Sequence, residues 1–344
     1  GSSGSEANET APRLVRHYWK LEGKPKKNRI ISRHNAYHGS TVAGTSLGGM
    51  KAMHRQLGGA VPNIEHVMMP YAFELAEPGE SDHDFGLRAA RAVEEAILRA
   101  GPDRVAAFIG EPIMGAGGVK IPPMSYWPEV QRICRKYDVL LMLDEVITGY
   151  GRTGNWFGAQ TFGLEPDTIT TAKALTSGYQ PLSALLVGDR IAATLVGKGG
   201  EFFHGYTYSG HPVACAVALK NLEIIEREGL IERVRTDTGP YFAKALEHIS
   251  GHPLVGETRS VGLMGAIEIV ADKATRRRFR PVGRAAVTVR DHAIANGMML
   301  RATGDTMILS PPLIWTRETI DMACERIVKG LDLAEAELRG RKSR

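Results

Sequence analysis

The chain has 344 residues, 43% of them apolar and 24% charged, with a net charge of +5. That is a globular profile with room for two domains. Acids and bases are interspersed and the basic clusters at 24–29, 276–278 and 339–344 are short and scattered, so they read as solvated surface and argue against nucleic acid as a partner.

No apolar run has the length a bilayer demands, and no signal peptide is visible. The three cysteines, Cys134, Cys215 and Cys324, lie far apart in apolar helical patterns. They read as free thiols of a reducing cytosol, without metal-ligand spacing, and the expected location is cytoplasmic.

The chain opens on Gly1-Ser-Ser-Gly-Ser-Glu-Ala-Asn8, which runs straight into a helical pattern carrying Leu14, Val15, Tyr18 and Trp19. Ser3, Gly4 and Ser5 at a helix start offer backbone N–H groups, hydroxyls and a positive dipole end, which suit an anion such as phosphate. The same triplet is also ordinary linker and cap material. Arg29-Ile-Ile-Ser32 reads as a strand, and Tyr37-His38-Gly39-Ser40 follows it. An aromatic there could stack on a cofactor ring or could simply fill core.

A helix over 85–100 feeds the strand Val105-Ala-Ala-Phe-Ile-Gly-Glu111, which ends in a carboxylate and the flexible Pro-Ile-Met-Gly-Ala-Gly-Gly118. A helix over 126–136 leads into Val139-Leu-Leu-Met-Leu-Asp-Glu-Val146, with Asp144 at the strand's C-terminal end. A short helix over 156–162 precedes a further strand, and Lys173 follows in Asp167-Thr-Ile-Thr-Thr-Ala-Lys-Ala-Leu-Thr-Ser-Gly178. Residues 182–187 form one more strand, and His204-Gly-Tyr206-Thr207-Tyr-Ser-Gly-His-Pro212 is a hydroxyl-rich loop before a helix.

This alternation predicts an α/β fold with a mainly parallel, buried sheet and helices on both faces. Long helical stretches over 212–228 and 230–249 then give way to strands at 261–270 and 306–310 and helices over 283–296 and 318–338. That pattern is a smaller α+β domain. The expected division is 1–225 and 226–344.

Ligands of open α/β sheets bind beyond the carboxyl ends of the strands. A lysine and an aspartate delivered there from separate strands suit pyridoxal phosphate: the lysine binds its aldehyde and the aspartate pairs with its ring nitrogen. Taken singly, a surface lysine and a helix-capping aspartate would explain the two residues as well.

In order and over essentially the whole chain, these segments resemble the class III aminotransferases, pyridoxal-phosphate enzymes of fold type I. Within that class the chain looks most like the ω-transaminases, which move an amino group from an amine or ω-amino acid to pyruvate. The stretches that carry this finer likeness are 37–50, 200–212 and Leu300-Arg301-Ala-Thr-Gly-Asp305.

The resemblance implies a seven-stranded sheet and pyridoxal 5′-phosphate as cofactor. It makes Lys173 and Asp144 catalytic: Lys173 as cofactor anchor and proton carrier, Asp144 as partner of the ring nitrogen. Tyr37 and Val146 would flank the ring, with His38 beside them. Ser3, Gly4 and Ser5 would hold the phosphate, and Tyr206 and Thr207 would join them, Thr207 toward the neighbouring subunit's cofactor. Glu111 resembles a buried carboxylate near the cofactor, and a purely structural role fits it equally. Arg301 and Tyr37 would bind substrate, the Arg301 fork gripping a carboxylate.

Ala116 and Ile147 stand where ornithine- and γ-aminobutyrate-type relatives carry glutamate and glutamine, which favours the amine:pyruvate branch. The expected partners are a small amine, a pyruvate-like keto acid and a second copy of the chain, as a homodimer or a dimer of dimers. Family members carry roughly a hundred further residues ahead of the phosphate loop, an estimate from family size against the usual domain range. The competing readings are an aminomutase, decarboxylase or racemase on the same fold, or a catalytically silent fragment.

Overall fold

The computed structural model describes residues 1–340; 341–344, the end of the last basic cluster, lie outside the described residues. The chain divides into two compact units, 1–150 with 157–228, and 151–156 with 229 onward. The division expected near residue 225 thus falls just after Glu228, and a short excursion at 151–156 joins the second unit.

In the first unit the strands are β1 (Arg29–Arg33), β2 (Ile64–Val67), β3 (Val105–Gly110), β4 (Leu140–Asp144), β5 (Thr168–Thr171) and β6 (Ala184–Val187). They form a six-stranded sheet in the order β2-β1-β3-β4-β5-β6. All neighbours are parallel except β5 and β6, which run antiparallel. Seven strands were expected; among the described residues there are six. β3 and β4 are buried along their whole length, which is why they read from sequence as unbroken apolar runs. β2, Ile-Glu-His-Val, carries no such run and was not anticipated.

The helices of this unit are α1 (Gly4–Leu21), α2 (Val42–Leu47), α3 (Lys51–Leu57), α4 (Ala72–Leu75), α5 (Asp82–Ala100), α6 (Tyr126–Lys136), α7 (Gly158–Thr161), α8 (Asp189–Lys198) and α9 (Pro212–Arg227). α1 matters most for function. Its buried residues Ala7, Asn8, Ala11, Leu14, Val15, Tyr18 and Trp19 recur at helical spacing. Ala11, Leu14, Val15, Tyr18 and Trp19 pack with Ile30, Ile109, Leu140 and Met142 of the sheet. The buried indole of Trp19 donates to the Ala106 carbonyl at 2.9 Å, fixing α1 against β3. α5 and α6 pair with each other, and Trp127 of α6 meets Phe108 of β3 edge to face at 6.1 Å.

The second unit contains α10 (Leu230–Arg233), α11 (Gly239–Ile249), β7 (Val255–Val261), β8 (Met264–Ile269), α12 (Arg284–Ala295), β9 (Arg301–Thr303), β10 (Thr306–Leu309) and α13 (Arg317–Leu338). Its sheet is antiparallel, in the order β7-β8-β10-β9. Phe242, Leu246, Ile267, Ile269, Val289, Ile327 and Leu331 fill its core. The helix expected to run unbroken over 230–249 is interrupted by a π turn at Val234–Thr238. Pro240 sits in the first turn of α11, where its missing N–H is tolerated.

Candidate active site

A cavity of about 370 Å³ opens in the first unit. Its lining includes Tyr37 and His38 beyond β1, Glu111 beyond β3, Asp144 at the end of β4, Val146 after it and Lys173 beyond β5. Ser3, Gly4, Ser5 and Asn8 come from α1 and its cap. This is the carboxyl edge of the sheet, and the order 2-1-3 puts a topological switch point between β1 and β3. Nine candidates from separate stretches therefore share one wall.

Asp144 and Glu145 are neighbours with opposite destinations, because successive side chains leave a strand on opposite faces. Glu145 is fully buried and accepts from Gly158 N–H at 2.8 Å and Ala159 N–H at 2.6 Å, capping α7. Asp144 lines the cavity, 5% exposed. Its Oδ2 accepts from Asn8 Nδ2 at 2.7 Å and lies 2.8 Å from His38 Nδ1, while Oδ1 accepts the Val146 N–H at 3.1 Å. Asn8 went unsingled in the sequence. It is one polar position on an apolar face, and only its place one turn beyond Gly4 and Ser5 could have marked it.

Glu111 is buried, its Oε1 accepting the Tyr37 N–H at 3.1 Å and its Oε2 the Gly115 N–H at 2.8 Å. Burial pushes its carboxyl up and Asp144 adds to the rise, while His38 and Arg33 oppose it. Beneath it, the fully buried Arg33 donates Nη2 to the Glu111 carbonyl at 2.6 Å and stands over the Trp127 ring at 5.2 Å.

Lys173 follows β5 with φ +43°. A non-glycine residue in the left-handed region costs about 1–3 kcal/mol and persists where surroundings demand it, often at functional sites. Ala172, Lys173, Thr176 and Gly178 all reach the cavity.

Ser3 caps α1: its Oγ accepts the Glu6 N–H at 3.2 Å, and the Glu6 carboxylate accepts the N–H of Ser2, one residue before the cap. Gly4 and Ser5 occupy the first turn, whose N–H groups have no intrahelical acceptor. A Cβ on Gly4 would come within 2.8 Å of Val146 Cγ2, and one on Gly39 within 2.7 Å of Ser5 Oγ. Glycine at these two positions keeps the helix start, Val146 and the Tyr37 loop in contact.

Pyridoxal phosphate fits this site. The volume lies within the roughly 300–1,000 Å³ usual for small-molecule pockets, and the lining combines buried carboxylates with a helix start that suits an anion. His38 Nε2 and Asn8 Oδ1 are buried without a protein hydrogen-bond partner, as at a site built to surround polar cargo.

Three candidates lie elsewhere. Tyr206 donates its hydroxyl to the Glu6 carbonyl at 3.2 Å, and Thr207 is exposed. Neither is among the residues lining the cavity. From 202 to 207 burial alternates: Phe202, His204 and Tyr206 are half-buried, while Phe203, Gly205 and Thr207 face out. His204 pins the inner side, 2.7 Å from Thr10 Oγ1 and 2.6 Å from Arg13 Nη1. Arg301 is exposed at the start of β9 in the second unit, paired across to Ile308.

Comparison with known proteins gives a consistent result. The family model for "Aminotransferase class-III" matches residues 1–331. The putrescine–pyruvate aminotransferase of Pseudomonas aeruginosa is 51% identical over 335 residues, 97% of this chain and 73% of that protein. The diaminobutyrate–2-oxoglutarate transaminase of Halomonas elongata is 44% identical, over 96% of this chain and 72% of that protein. Among solved structures, the omega transaminase from Pseudomonas jessenii in complex with PMP superposes with a TM-score of 0.96 at 42% identity, covering 100% of this chain and 76% of that one.

Proposed function

Since the chain belongs to the class III aminotransferases, whose cofactor is pyridoxal phosphate, we propose that it carries an amino group from a primary amine or ω-amino acid to pyruvate in two half-reactions at this cavity. The observation that carries the reading is the convergence of Lys173, Asp144, Tyr37, Val146 and the α1 start on one cavity. The likeness to the putrescine–pyruvate aminotransferase of Pseudomonas aeruginosa supports the choice of acceptor.

Bound pyridoxal phosphate supplies an electron sink for the carbon that loses its proton. The chain's residues supply the rest. Lys173 would hold the cofactor through Nζ, and that Nζ, when free, would be the base that moves the proton of the substrate's amine-bearing carbon. Asp144 would accept from the ring N–H and hold that nitrogen protonated. Tyr37 and Val146 would flank the ring, with His38 in contact with Asp144. Ser3, Gly4 and Ser5 receive the phosphate at the dipole's positive end. Glu111 holds the Tyr37 loop through the Tyr37 N–H. Arg301 binds the keto acid's carboxylate.

The same proposal makes the enzyme a homodimer. Thr207 faces outward on a strip with Phe203 (78% exposed) and Tyr208 (69%), which suits a phosphate contact in a neighbouring subunit. Among the described residues no helix is long and apolar enough to cross a membrane, and we place the enzyme in the cytoplasm. The test is spectroscopic: a cofactor absorbance band that an aliphatic amine removes and pyruvate restores, with alanine formed. A band that only 2-oxoglutarate restores would contradict the acceptor.

A further inference from the structure

Three groups bond the Asp144 carboxylate: Asn8 and His38 at Oδ2 and the Val146 N–H at Oδ1. Asn8 spends both hydrogens of its amide, one on Asp144 Oδ2 at 2.7 Å and one on the His38 carbonyl at 2.9 Å. The opposite amide orientation would set oxygen against two acceptors, so the network fixes which atom is nitrogen. A carboxylate only accepts, so the His38 nitrogen 2.8 Å from Oδ2, Nδ1, carries a proton. Oδ2 is thereby filled by Asn8 and His38. Oδ1 receives one N–H, from Val146, and keeps acceptor capacity.

All three side chains are 5% exposed or less. Asn8 also lies one turn along α1 from Gly4 and Ser5. The helix whose first turn would receive the phosphate therefore also holds the Asp144 carboxylate.

We propose that Asn8 and His38 are positioning residues that clamp Asp144 through Oδ2 and present Oδ1 to the cofactor's ring nitrogen. This rests on the reading of Asp144 as that nitrogen's partner. It goes further by assigning separate tasks to the two oxygens and a function to two residues that touch each other and Asp144.

The test uses the full chain loaded with cofactor carrying ¹⁵N in the ring, read by the nitrogen's chemical shift. Asn8→Ser shortens the side chain out of reach of Asp144, and His38→Leu removes the Nδ1 donor. Both should move the signal toward the unprotonated position with cofactor still bound. His38→Asn keeps a donor at the δ position and should restore it. The amine half-reaction should slow roughly 10- to 100-fold in the first two variants, the value of a hydrogen bond to a charged group, with KM for the amine little changed. Asp144→Asn is the reference. If it moves the signal while Asn8→Ser and His38→Leu do not, the clamp is wrong and the Asp144 reading survives. If Asp144→Asn also leaves the signal unmoved, the Asp144 reading falls and the clamp with it. Should His38→Leu fail to fold, Asn8→Ser, a small change inside a helix, decides the matter alone.

Discussion

The floor of the cavity and the strip at 202–208 belong to the same unit and are built on opposite plans. In the floor, Asn8, His38, Glu111 and Asp144 are at most 5% exposed, and their side-chain bonds run to one another or to backbone. On the strip, one edge is tied to α1 through His204 and Tyr206. The other edge shows Phe203, Thr207 and Tyr208 to solvent. A preorganised polar floor costs no reorganisation when charge develops above it. An outward row of large apolar side chains is what a surface looks like before its partner arrives. The contrast separates two kinds of surface: a polar cluster whose bonds close on itself, and an exposed row that the proposed dimer would cover.

The sharpest way to break this contrast is Asp144→Asn. An amide at the centre of the floor cannot serve as an anionic acceptor, and with its oxygen turned to the Asn8 and His38 donors its NH2 would face the Val146 N–H and the place proposed for the ring nitrogen. Half-reaction rates should fall by about 3–4 kcal/mol of transition-state stabilisation, while the circular-dichroism melt still shows a cooperative fold. Near-normal rates would remove the floor's chemical role. Arg301→Ala comes next. It should weaken pyruvate roughly 30-fold or more, as for a lost charge-assisted contact, and leave the amine half-reaction nearly intact. Equal losses in both halves would make Arg301 structural.

The strip is probed by Phe203→Asp. Placing a charge in the outward row should raise the dimer dissociation constant about tenfold or more, as for a buried aromatic anchor, measured by light scattering across concentration. Activity per chain should fall with the dimer. A strictly monomeric protein with full turnover would contradict the incomplete rim.

The smallest effect concerns pH. Burial, aided by Asp144, raises the Glu111 carboxyl above its ordinary range. The folded state therefore holds a proton that the unfolded chain has already released, so this group lowers stability progressively as pH rises from the ordinary carboxylate value to the raised one. Glu111→Gln should flatten that part of the stability curve in urea titrations at a series of pH values. An unchanged slope would mean that Glu111 ionises normally in the floor.

Much of this was legible because apolar runs announce buried strands. Val105–Gly110 and Leu140–Asp144 are such runs, and a carboxylate placed just after or at their ends is conspicuous. Lys173 follows β5, Thr-Ile-Thr-Thr, whose composition announces no buried run, and its left-handed backbone was not legible. What failed to show was whatever depends on a partner distant in sequence. β2 is held by its register with β1, not by its own composition. β9 is three residues long and exists by pairing with β10. The π turn at Val234–Thr238 interrupts a helical pattern that reads as continuous. Asn8 looks like a stray polar residue on an apolar face until Asp144, 136 positions later, arrives beside it.

The central claim is that this cavity is a cofactor site anchored at Lys173, and borohydride reduction followed by peptide mapping tests it most directly. Reduction of the loaded enzyme should fix the cofactor to the peptide containing Lys173, with Lys173→Ala leaving no stable adduct there or elsewhere. A stoichiometric adduct on any other lysine would contradict the account.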